Sequence, residues 1–239
     1  MREWQWMGVV GAQTMTRDSV RSLNVRCAAV ALLPTKRPAE QLMGMPAIRR
    51  RWTISQVRAL QDESRAWPRY ELIDGELLVT PAPAPAHQLS VGDLVILLSQ
   101  YLVLEPVGIV VTSPADLELR PGTITQPDVF VIPADTRIAG DRLEWQDVKS
   151  LLLAVEVLSP SSLRVDRISK RDFYMDADVA EYWIVDIDAR LIERWTPSQE
   201  TPIIARGEMV WTPAGATPLT IDLVAFFDRI DARLRLFAR

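Results

Sequence analysis

Two acidic residues and one lysine stand where they can act together on a phosphate group. Asp128 lies in the strand-like segment 125–132, and Glu156 lies inside the mostly apolar run 151–162. A charge within a buried strand is costly unless another group pairs with it. Lys170 follows in the next predicted helix. Carboxylates can hold a divalent cation that activates water, and a lysine beside that water can neutralise developing charge, so the pattern favours phosphodiester hydrolysis.

The composition narrows the choice of metal. The chain has 239 residues, 48% of them hydrophobic, which is ample for one globular core. It has one cysteine, Cys27, and one histidine, His87, which rules out a zinc cluster of cysteines or histidines. Any metal would be held by oxygen ligands, which favours Mg²⁺ or Mn²⁺ as the cofactor. We interpret His87, at the start of a predicted helix, as a capping or surface residue rather than a base.

The overall charge is not that of a general nucleic-acid-binding protein. The formal net charge is −4 and the isoelectric point is about 5.2. A local basic face is nevertheless enough for phosphate contacts. Arg164, Arg167 and Arg171 share one face of the predicted helix that carries Lys170. This face is either a phosphate-binding stripe or an ordinary solvated surface balanced by nearby aspartates.

Neither a membrane helix nor a signal peptide is expected. No apolar run approaches the roughly 18 residues that a membrane span needs, and the apolar stretch 27–33 is short for a signal peptide. We therefore expect no membrane partner and a cytoplasmic location. Residues 1–44 show no sustained periodicity, and Met45 precedes a well-formed helix signal. We interpret 1–44 as a flexible extension, with Met45 as a natural start, and 45–239 as the folded domain.

Helices and strands are predicted to alternate through one α/β domain over about residues 50–232. Thr53 is a plausible cap for the first helix, and Asp74-Gly75 supplies the turn of the first hairpin. The remaining elements are a helix over 87–104, two strands within 107–120, a strand over 125–132, a strand leading to Glu156, a helix over 166–175, a hairpin over 181–196 and a closing helix that includes 220–230.

Several segments together resemble a known family. The strings PDVFV, AVEVLSPSS and KRDFYMDADVAEYWIVD, with YELIDGELLVTPAPAPAHQ ahead of them, are similar to the Uma-two family (domain of unknown function 820). That family belongs to the PD-(D/E)XK restriction-endonuclease-like superfamily. The resemblance covers roughly residues 50–230. It implies a single restriction-endonuclease-like α/β domain, a mixed central sheet flanked by helices, and an Mg²⁺- or Mn²⁺-dependent endonuclease that acts on DNA.

The resemblance also assigns roles to residues. Asp128 matches the acidic residue of the PD pair, and Glu156 matches the acidic residue of (D/E)XK. Leu158 stands where the superfamily has lysine, and Lys170 on the following helix fits the lysine of this family. Glu71 matches an acidic residue of the front hairpin. The resemblance thus implies catalytic roles for all four charged residues and metal binding by the three acidic ones.

Other interpretations stay open at this point. Asp128 can simply cap a strand end, Glu71 can be a solvated strand residue, and Lys170 can form an ordinary helix ion pair with Asp166. The leucine at position 158 and the acidic net charge also suit a catalytically degenerate nucleic-acid-binding module. A third alternative is a regulatory or structural partner protein of the same fold. Because many nucleases cut both strands as dimers, a homodimer is one possible assembly.

Overall fold

The computed structural model describes most of the predicted domain. The described residues are 51–63, 67–138, 140–160, 162–177, 179–213 and 215–236. They all fall within one compact unit, Ile48–Arg239. The predicted extension 1–44 and the predicted start at Met45 lie outside the described residues.

Strands and helices alternate within these ranges. The strands are β1 Arg69–Ile73, β2 Glu76–Thr80, β3 Gly108–Thr112, β4 Val129–Pro133, β5 Leu153–Val157, β6 Tyr182–Asp186, β7 Leu191–Trp195, β8 Ile203–Ala205, β9 Glu208–Trp211 and β10 Leu219–Asp222. The helices are α1 Ile54–Glu63, α2 Pro85–Leu104, α3 Arg171–Asp176 and α4 Leu223–Leu236. A π-helical turn, Val165–Lys170, leads directly into α3.

A mixed six-stranded sheet forms the centre of this unit. Its strand order is β3-β4-β5-β6-β7-β8. The pair β5 and β6 is parallel, and every other neighbouring pair in this sheet is antiparallel. A parallel pair needs a crossover connection, which the π-helical turn and α3 supply here. The hairpins β1-β2 and β9-β10 form two separate small sheets.

Each face of the sheet is covered by a different part of the chain. Side chains alternate along β4, so Val129 and Val131 join one core cluster while Phe130 and Ile132 join the other. The first cluster includes residues of α2, α4 and the β9-β10 hairpin. The second includes residues of α3 and the β1-β2 hairpin. The predicted α/β architecture, a mixed central sheet flanked by helices, is confirmed.

Local signals in the sequence account for the first two elements. The Thr53 hydroxyl accepts a hydrogen bond from the backbone N–H of Gln56, and the Gln56 side chain accepts one from the backbone of Thr53. This reciprocal pair is a capping box, and it begins α1 where the sequence predicts. The turn between β1 and β2 needs positive φ, which Asp74 (49°) and Gly75 (81°) both adopt.

The predicted second strand within 107–120 is wrong. The first half of that range forms β3, but Ala115–Arg120 contributes only an isolated bridge between Leu117 and Thr125. Leu117 and Leu119 are buried, which produces the alternating pattern that suggested a strand. Prolines at 114 and 121 flank the segment, and a proline cannot donate a backbone hydrogen bond to a ladder.

Helix α2 corrects the expectation that no segment is long and apolar enough for a membrane span. Among the described residues it alone meets that test by length and composition, and 33% of its most apolar window is buried. Leu94 and Leu98 lie fully within the core, and Asp93 is buried beside them. Two arginines of α4, Arg229 and Arg233, pair with Asp93. Packing against the sheet and α4 accounts for the buried part of α2, whereas Ile96, Val103 and Leu104 are exposed.

The Asp93 contact predicts unequal effects on stability. Asp93 is 3% exposed, whereas each arginine side chain is 43% exposed. Changing both Arg229 and Arg233 to alanine leaves a buried carboxylate without its partners, so we expect a loss of about 2–4 kcal/mol in the free energy of unfolding. Asp93→Ala lets the arginines return to water, and we expect a loss of about 1 kcal/mol. Urea unfolding monitored by circular dichroism measures both, and equal losses would contradict this assignment.

Candidate active site

The register of the sheet places Asp128 opposite Glu156. In the antiparallel pair β4-β5, Val129 lies opposite Val155. One step beyond that position, Asp128 lies opposite Glu156, and directly opposed residues share a face of the sheet. That face is the one covered by α3, because Phe130 and Ala154 belong to the cluster on that side. Two neighbouring strands therefore bring the two predicted carboxylates together.

Lys170 joins this pair from the π-helical turn. Its Nζ lies 2.9 Å from Glu156 Oε1 and 2.8 Å from Glu71 Oε2. Asp166, one turn earlier, places Oδ1 3.9 Å from the same nitrogen. Only 4% of Lys170 is exposed. The side chain is thus a buried ammonium with three carboxylates around it.

The leucine at position 158 does not leave the site without a lysine. Residues two apart along a strand share a face, so Leu158 continues the face that carries Glu156. Leu158 is buried in the apolar cluster beneath α3. The ammonium approaches Glu156 from the helix instead, since Lys170 forms a hydrogen bond with it. The cation next to Glu156 thus comes from the π-helical turn, and a catalytic role for Lys170 stays a prediction.

Glu71 reaches the site from the front hairpin. It is 2% exposed, and both of its carboxylate oxygens already accept hydrogen bonds. Oε1 accepts from the backbone N–H of Gln126 at 2.8 Å, and Oε2 accepts from Lys170. In this arrangement Glu71 holds the ammonium in place and ties β1 to the segment ahead of β4. Metal binding by Glu71 stays a prediction.

Asp128 is held by three groups, one of which the sequence analysis misjudged. His87 Nε2 lies 2.9 Å from Asp128 Oδ2, and the backbone N–H of Val157 donates to the same oxygen at 3.0 Å. Arg69 lies 3.6 Å from Oδ1. The interpretation of His87 as a cap or surface residue is wrong, because 12% of its side chain is exposed and it contacts the site. No local pattern in the sequence indicates this contact, because His87 in the first turn of α2 and Asp128 are 41 residues apart.

Burial and crowding of like charges shift the protonation equilibria of the cluster. Burial raises the pKa of Glu156 well above its ordinary value; Lys170 partly offsets this, and Asp128 and its acidic neighbours add to it. Burial would lower the pKa of Lys170, but Glu156 and the other carboxylates hold it well above its ordinary value. Its neighbours therefore favour the charged form of Lys170, while burial favours the protonated form of Glu156.

The pKa of Asp128 is shifted in the opposite direction to that of Glu156. Burial alone would raise its pKa, but the hydrogen bond and charge of His87 and the N–H of Val157 hold the pKa below its ordinary value. The ionised carboxylate only accepts hydrogen bonds, so we assign the proton of the contact to His87 Nε2. The other ring nitrogen, Nδ1, is buried with no hydrogen-bond partner in the described part of the chain.

The carboxylate oxygens around one small cavity suit a hard divalent cation. A cavity of about 20 Å³ lies between Asp128, Glu156 and Lys170, which is the size of one water or ion. Within the described ranges, both hydrogen bonds to Glu156 go to Oε1, which leaves Oε2 for another partner. Over the same residues, no three acidic, histidine or cysteine side chains form a ready metal cluster. Mg²⁺, however, is commonly held by one or two carboxylates with water and substrate phosphate.

Comparison with known proteins identifies the family of this chain. Residues 54–223, well over half of its length, match the model of the Uma2 family, described as "Putative restriction endonuclease". The chain belongs to the Uma2 family. A comparison with curated proteins gives no match.

A solved structure has the same fold. It is the crystal structure of a putative nuclease belonging to DUF820 from Anabaena variabilis ATCC 29413, with a TM-score of 0.57 and 15% sequence identity. The match covers 73% of this chain and 98% of that chain. The family and the restriction-endonuclease-like fold predicted from the sequence are thereby confirmed. Membership in Uma2 supports a nuclease-like function.

The arginine face next to the Uma2 site is largely occupied by internal contacts. Arg167 donates to Asp186 at 2.8 Å and to Glu193 at 2.6 Å. Arg171 pairs with Asp172 and lies over the Trp195 ring. These contacts favour the interpretation of this face as a balanced surface. Phosphate binding by the stripe stays a prediction.

The raised pKa of Asp166 in this site predicts how the free energy of unfolding depends on pH. Burial, with added repulsion from Glu71 and Asp128, raises the pKa of Asp166 from 3.8 to about 6, despite Lys170 and Ser162. Because this folded-state pKa exceeds the unfolded-state value, the stabilisation from Asp166 is complete below about pH 4. It is lost as the pH rises through about 6. Asp166→Asn cannot ionise and escapes this loss of up to about 3 kcal/mol.

Urea unfolding of both proteins between about pH 4 and 7 measures this difference. We expect the stability of Asp166→Asn relative to the natural protein to rise with pH across that window. The exposed Asp188→Asn is the control and should show a flat difference. A flat difference for Asp166→Asn as well would mean that Asp166 ionises normally in the folded protein.

Proposed function

We propose that this protein is a metal-dependent endonuclease that hydrolyses phosphodiester bonds in DNA. Asp128 and Glu156 would hold Mg²⁺ or Mn²⁺. The observation that carries the proposal is the buried ammonium of Lys170 in hydrogen-bond contact with Glu156. Apolar packing alone does not require that group there, whereas hydrolysis of a phosphodiester needs a cation beside the attacked phosphate.

The excess negative charge of the cluster supports metal binding. Glu71, Glu156 and Asp166 surround the single ammonium of Lys170, and the carboxylate of Asp128 adds to the electrostatic repulsion on Glu156. Burial is the largest cause of the raised pKa of Glu156, and repulsion from Asp128, Asp166 and Glu71 adds to it, so a proton on Glu156 relieves part of that repulsion. A divalent cation bound there would supply the same relief, together with a polarised phosphate and a water of lowered pKa. Binding would then displace protons from the cluster.

Lys170 acts as a fixed charge in this proposal. Its pKa is held well above the ordinary value, so it does not accept a proton from water at neutral pH. It can orient the attacking water by hydrogen bonding and stabilise the charge that builds on the phosphoryl oxygens. Glu71 and Asp166 position the ammonium through their contacts with it.

The remaining groups orient the two proposed ligands. Tyr174 donates its hydroxyl proton to Glu156 Oε1 at 3.1 Å, and burial raises its pKa well above the ordinary value, so it stays a donor. His87 and the Val157 N–H fix Asp128 through Oδ2, which turns Oδ1 towards Arg69. Such supporting contacts hold metal ligands in one orientation. The Arg69 guanidinium is placed to receive a phosphate at the edge of the site.

Plasmid cleavage tests the central proposal. With Mg²⁺ or Mn²⁺, we expect supercoiled plasmid to be nicked or linearised, and a chelator to abolish the reaction. Glu156→Gln and Asp128→Asn should each reduce the rate at least about a hundredfold, because each removes a ligand charge while keeping the side-chain shape. Glu208→Gln, an exposed residue on β9, is the matched control.

Three results of this assay are decisive. Cleavage that survives both substitutions would refute the assignment of the site. Salt-sensitive DNA binding without cleavage under any of these metals would identify the degenerate binding module instead. A product ratio that rises with protein concentration towards linear DNA would support the proposed homodimer acting on both strands.

A second experiment distinguishes the role of Lys170 from that of the proposed metal ligands. Lys170→Met removes the ammonium but leaves the proposed ligands, so we expect Mn²⁺ binding to be retained and cleavage to fall about 10²- to 10³-fold. Glu156→Gln should lose both Mn²⁺ binding and cleavage. Thermal melting with and without Mn²⁺ reports binding, because a ligand that binds only the folded state raises the melting temperature. Full cleavage by Lys170→Met would show that the lysine is structural only.

A further inference from the structure

A second, larger cleft opens next to the site and is not used by the chemistry proposed above. Its volume is about 390 Å³, within the range of small-ligand pockets. Arg69 and Gln126 line both this cleft and the small cavity between the carboxylates, so the two spaces adjoin. The other walls include Gln61, Asp116 and Trp145.

The floor of this cleft presents hydrogen-bond acceptors. Asp116 Oδ1 accepts from Gln126 Nε2 at 2.6 Å and from Gln61 Nε2 at 3.1 Å. Gln61 Nε2 also donates to the backbone carbonyl of Tyr70, which uses both of its N–H donors, whereas Gln126 uses one of its two within the described residues. Gln126 is 6% exposed, and its Oε1 is buried with no hydrogen-bond partner among the described residues. A buried acceptor without a donor is costly, so this floor is matched to a ligand that brings N–H groups.

The sides of the cleft suit a flat, uncharged ring. Trp145 is 37% exposed and packs edge-on against Phe130, which fixes its orientation. Asp116, with Asp62 also at the wall, makes the cleft negative, which repels phosphate. A phosphate would instead meet Arg69, whose guanidinium lies over the Trp67 ring and 3.6 Å from Asp128. Arg69, which lines both the cleft and the small cavity, therefore offers a cation to the phosphate of a nucleotide whose base lies in the cleft.

We propose that this cleft binds a nucleobase that carries an exocyclic amino group, unstacked from the strand next to the phosphate that is cut. The proposal rests on the nuclease function proposed above and adds to it a preference for an extrahelical or single-stranded nucleotide. The amino group donates to Gln126 Oε1 and Asp116, while the ring lies against Trp145. Reading an unstacked base by its edge and by stacking is the usual arrangement when enzymes extract a nucleotide.

Cytosine and uracil provide a matched pair of ligands, because uracil has a carbonyl oxygen where cytosine has the amino group. The test measures fluorescence anisotropy of labelled oligodeoxycytidine and oligodeoxyuridine of equal length, at mildly alkaline pH with a chelator so that no strand is cut. We expect the cytidine strand to bind about tenfold more tightly. Gln126→Met should abolish this preference and leave the affinity for the uridine strand unchanged.

Gln199→Met is the matched control, since Gln199 Oε1 is also buried and unpartnered among the described residues but lies outside the cleft. It should keep the cytosine preference. Equal affinity of the natural protein for the two strands would overturn the proposal without any variant. The proposal would also be overturned by a Gln126→Met protein that melts normally and keeps the cytosine preference. The same holds if that protein binds both strands more weakly by the same factor. Metal-dependent plasmid cleavage with no base preference would leave the nuclease proposal standing and refute this one.

Discussion

The burial of one ammonium among carboxylates is the constraint on which the site depends. Removing a lysine from water is costly, and the cost is offset only when good hydrogen bonds replace its hydration. Lys170 makes short contacts with Glu71 and Glu156, and Asp166 lies close by. Three separate parts of the chain must therefore arrive together: the front hairpin, a central strand and the crossover helix. The second core cluster, which joins these same elements, supplies the apolar packing that holds them in register.

The parallel pair within an otherwise antiparallel sheet explains how the lysine reaches the carboxylates. A parallel neighbour for β5 requires the chain to cross the sheet face before β6 begins. The crossover starts with the π-helical turn, in which Asp166 and Lys170 both lie buried towards that face. Wide helical turns of this kind are often found at functional sites. A tighter hairpin between β5 and β6 would leave Glu156 without a cation.

The two strand carboxylates were accessible from the sequence, but their supporting contacts were not. Asp128 and Glu156 stand out because a charge within an apolar strand needs a reason, and that reason is visible without a structure. Lys170 was also accessible from the sequence as a cation on the next predicted helix, and the family resemblance added its match to the motif lysine that Leu158 replaces. The contact of His87 with Asp128 spans 41 residues, and that of Glu71 with Gln126 spans 55. No local pattern encodes such pairings, since they arise only when the sheet and hairpin pack together.

The same limit explains the error at Ala115–Arg120. Alternation of buried and exposed side chains predicts a strand, but a strand also needs a neighbouring ladder, and here a single bridge with Thr125 is formed. The capping box of α1 and the Asp74-Gly75 turn were predictable because all of their partners are within a few residues. Prediction from this sequence therefore succeeds where the interaction is local or where burial of charge is itself the signal.

The ion pairs of this protein differ in what they do for it. Asp93 with its arginines and Glu181 with Arg194 each join a buried acid to a partly exposed arginine, and these pairs connect elements of the core. The cluster around Lys170 is different, because several acids surround one cation; burial raises the pKa of Glu156, and repulsion from the neighbouring acids adds to this rise. A well-packed apolar replacement of a buried charged cluster is often as stable or more so. Stability alone therefore gives little reason for this cluster, and the proposed binding of a cation and orientation of water beside a phosphate would supply one.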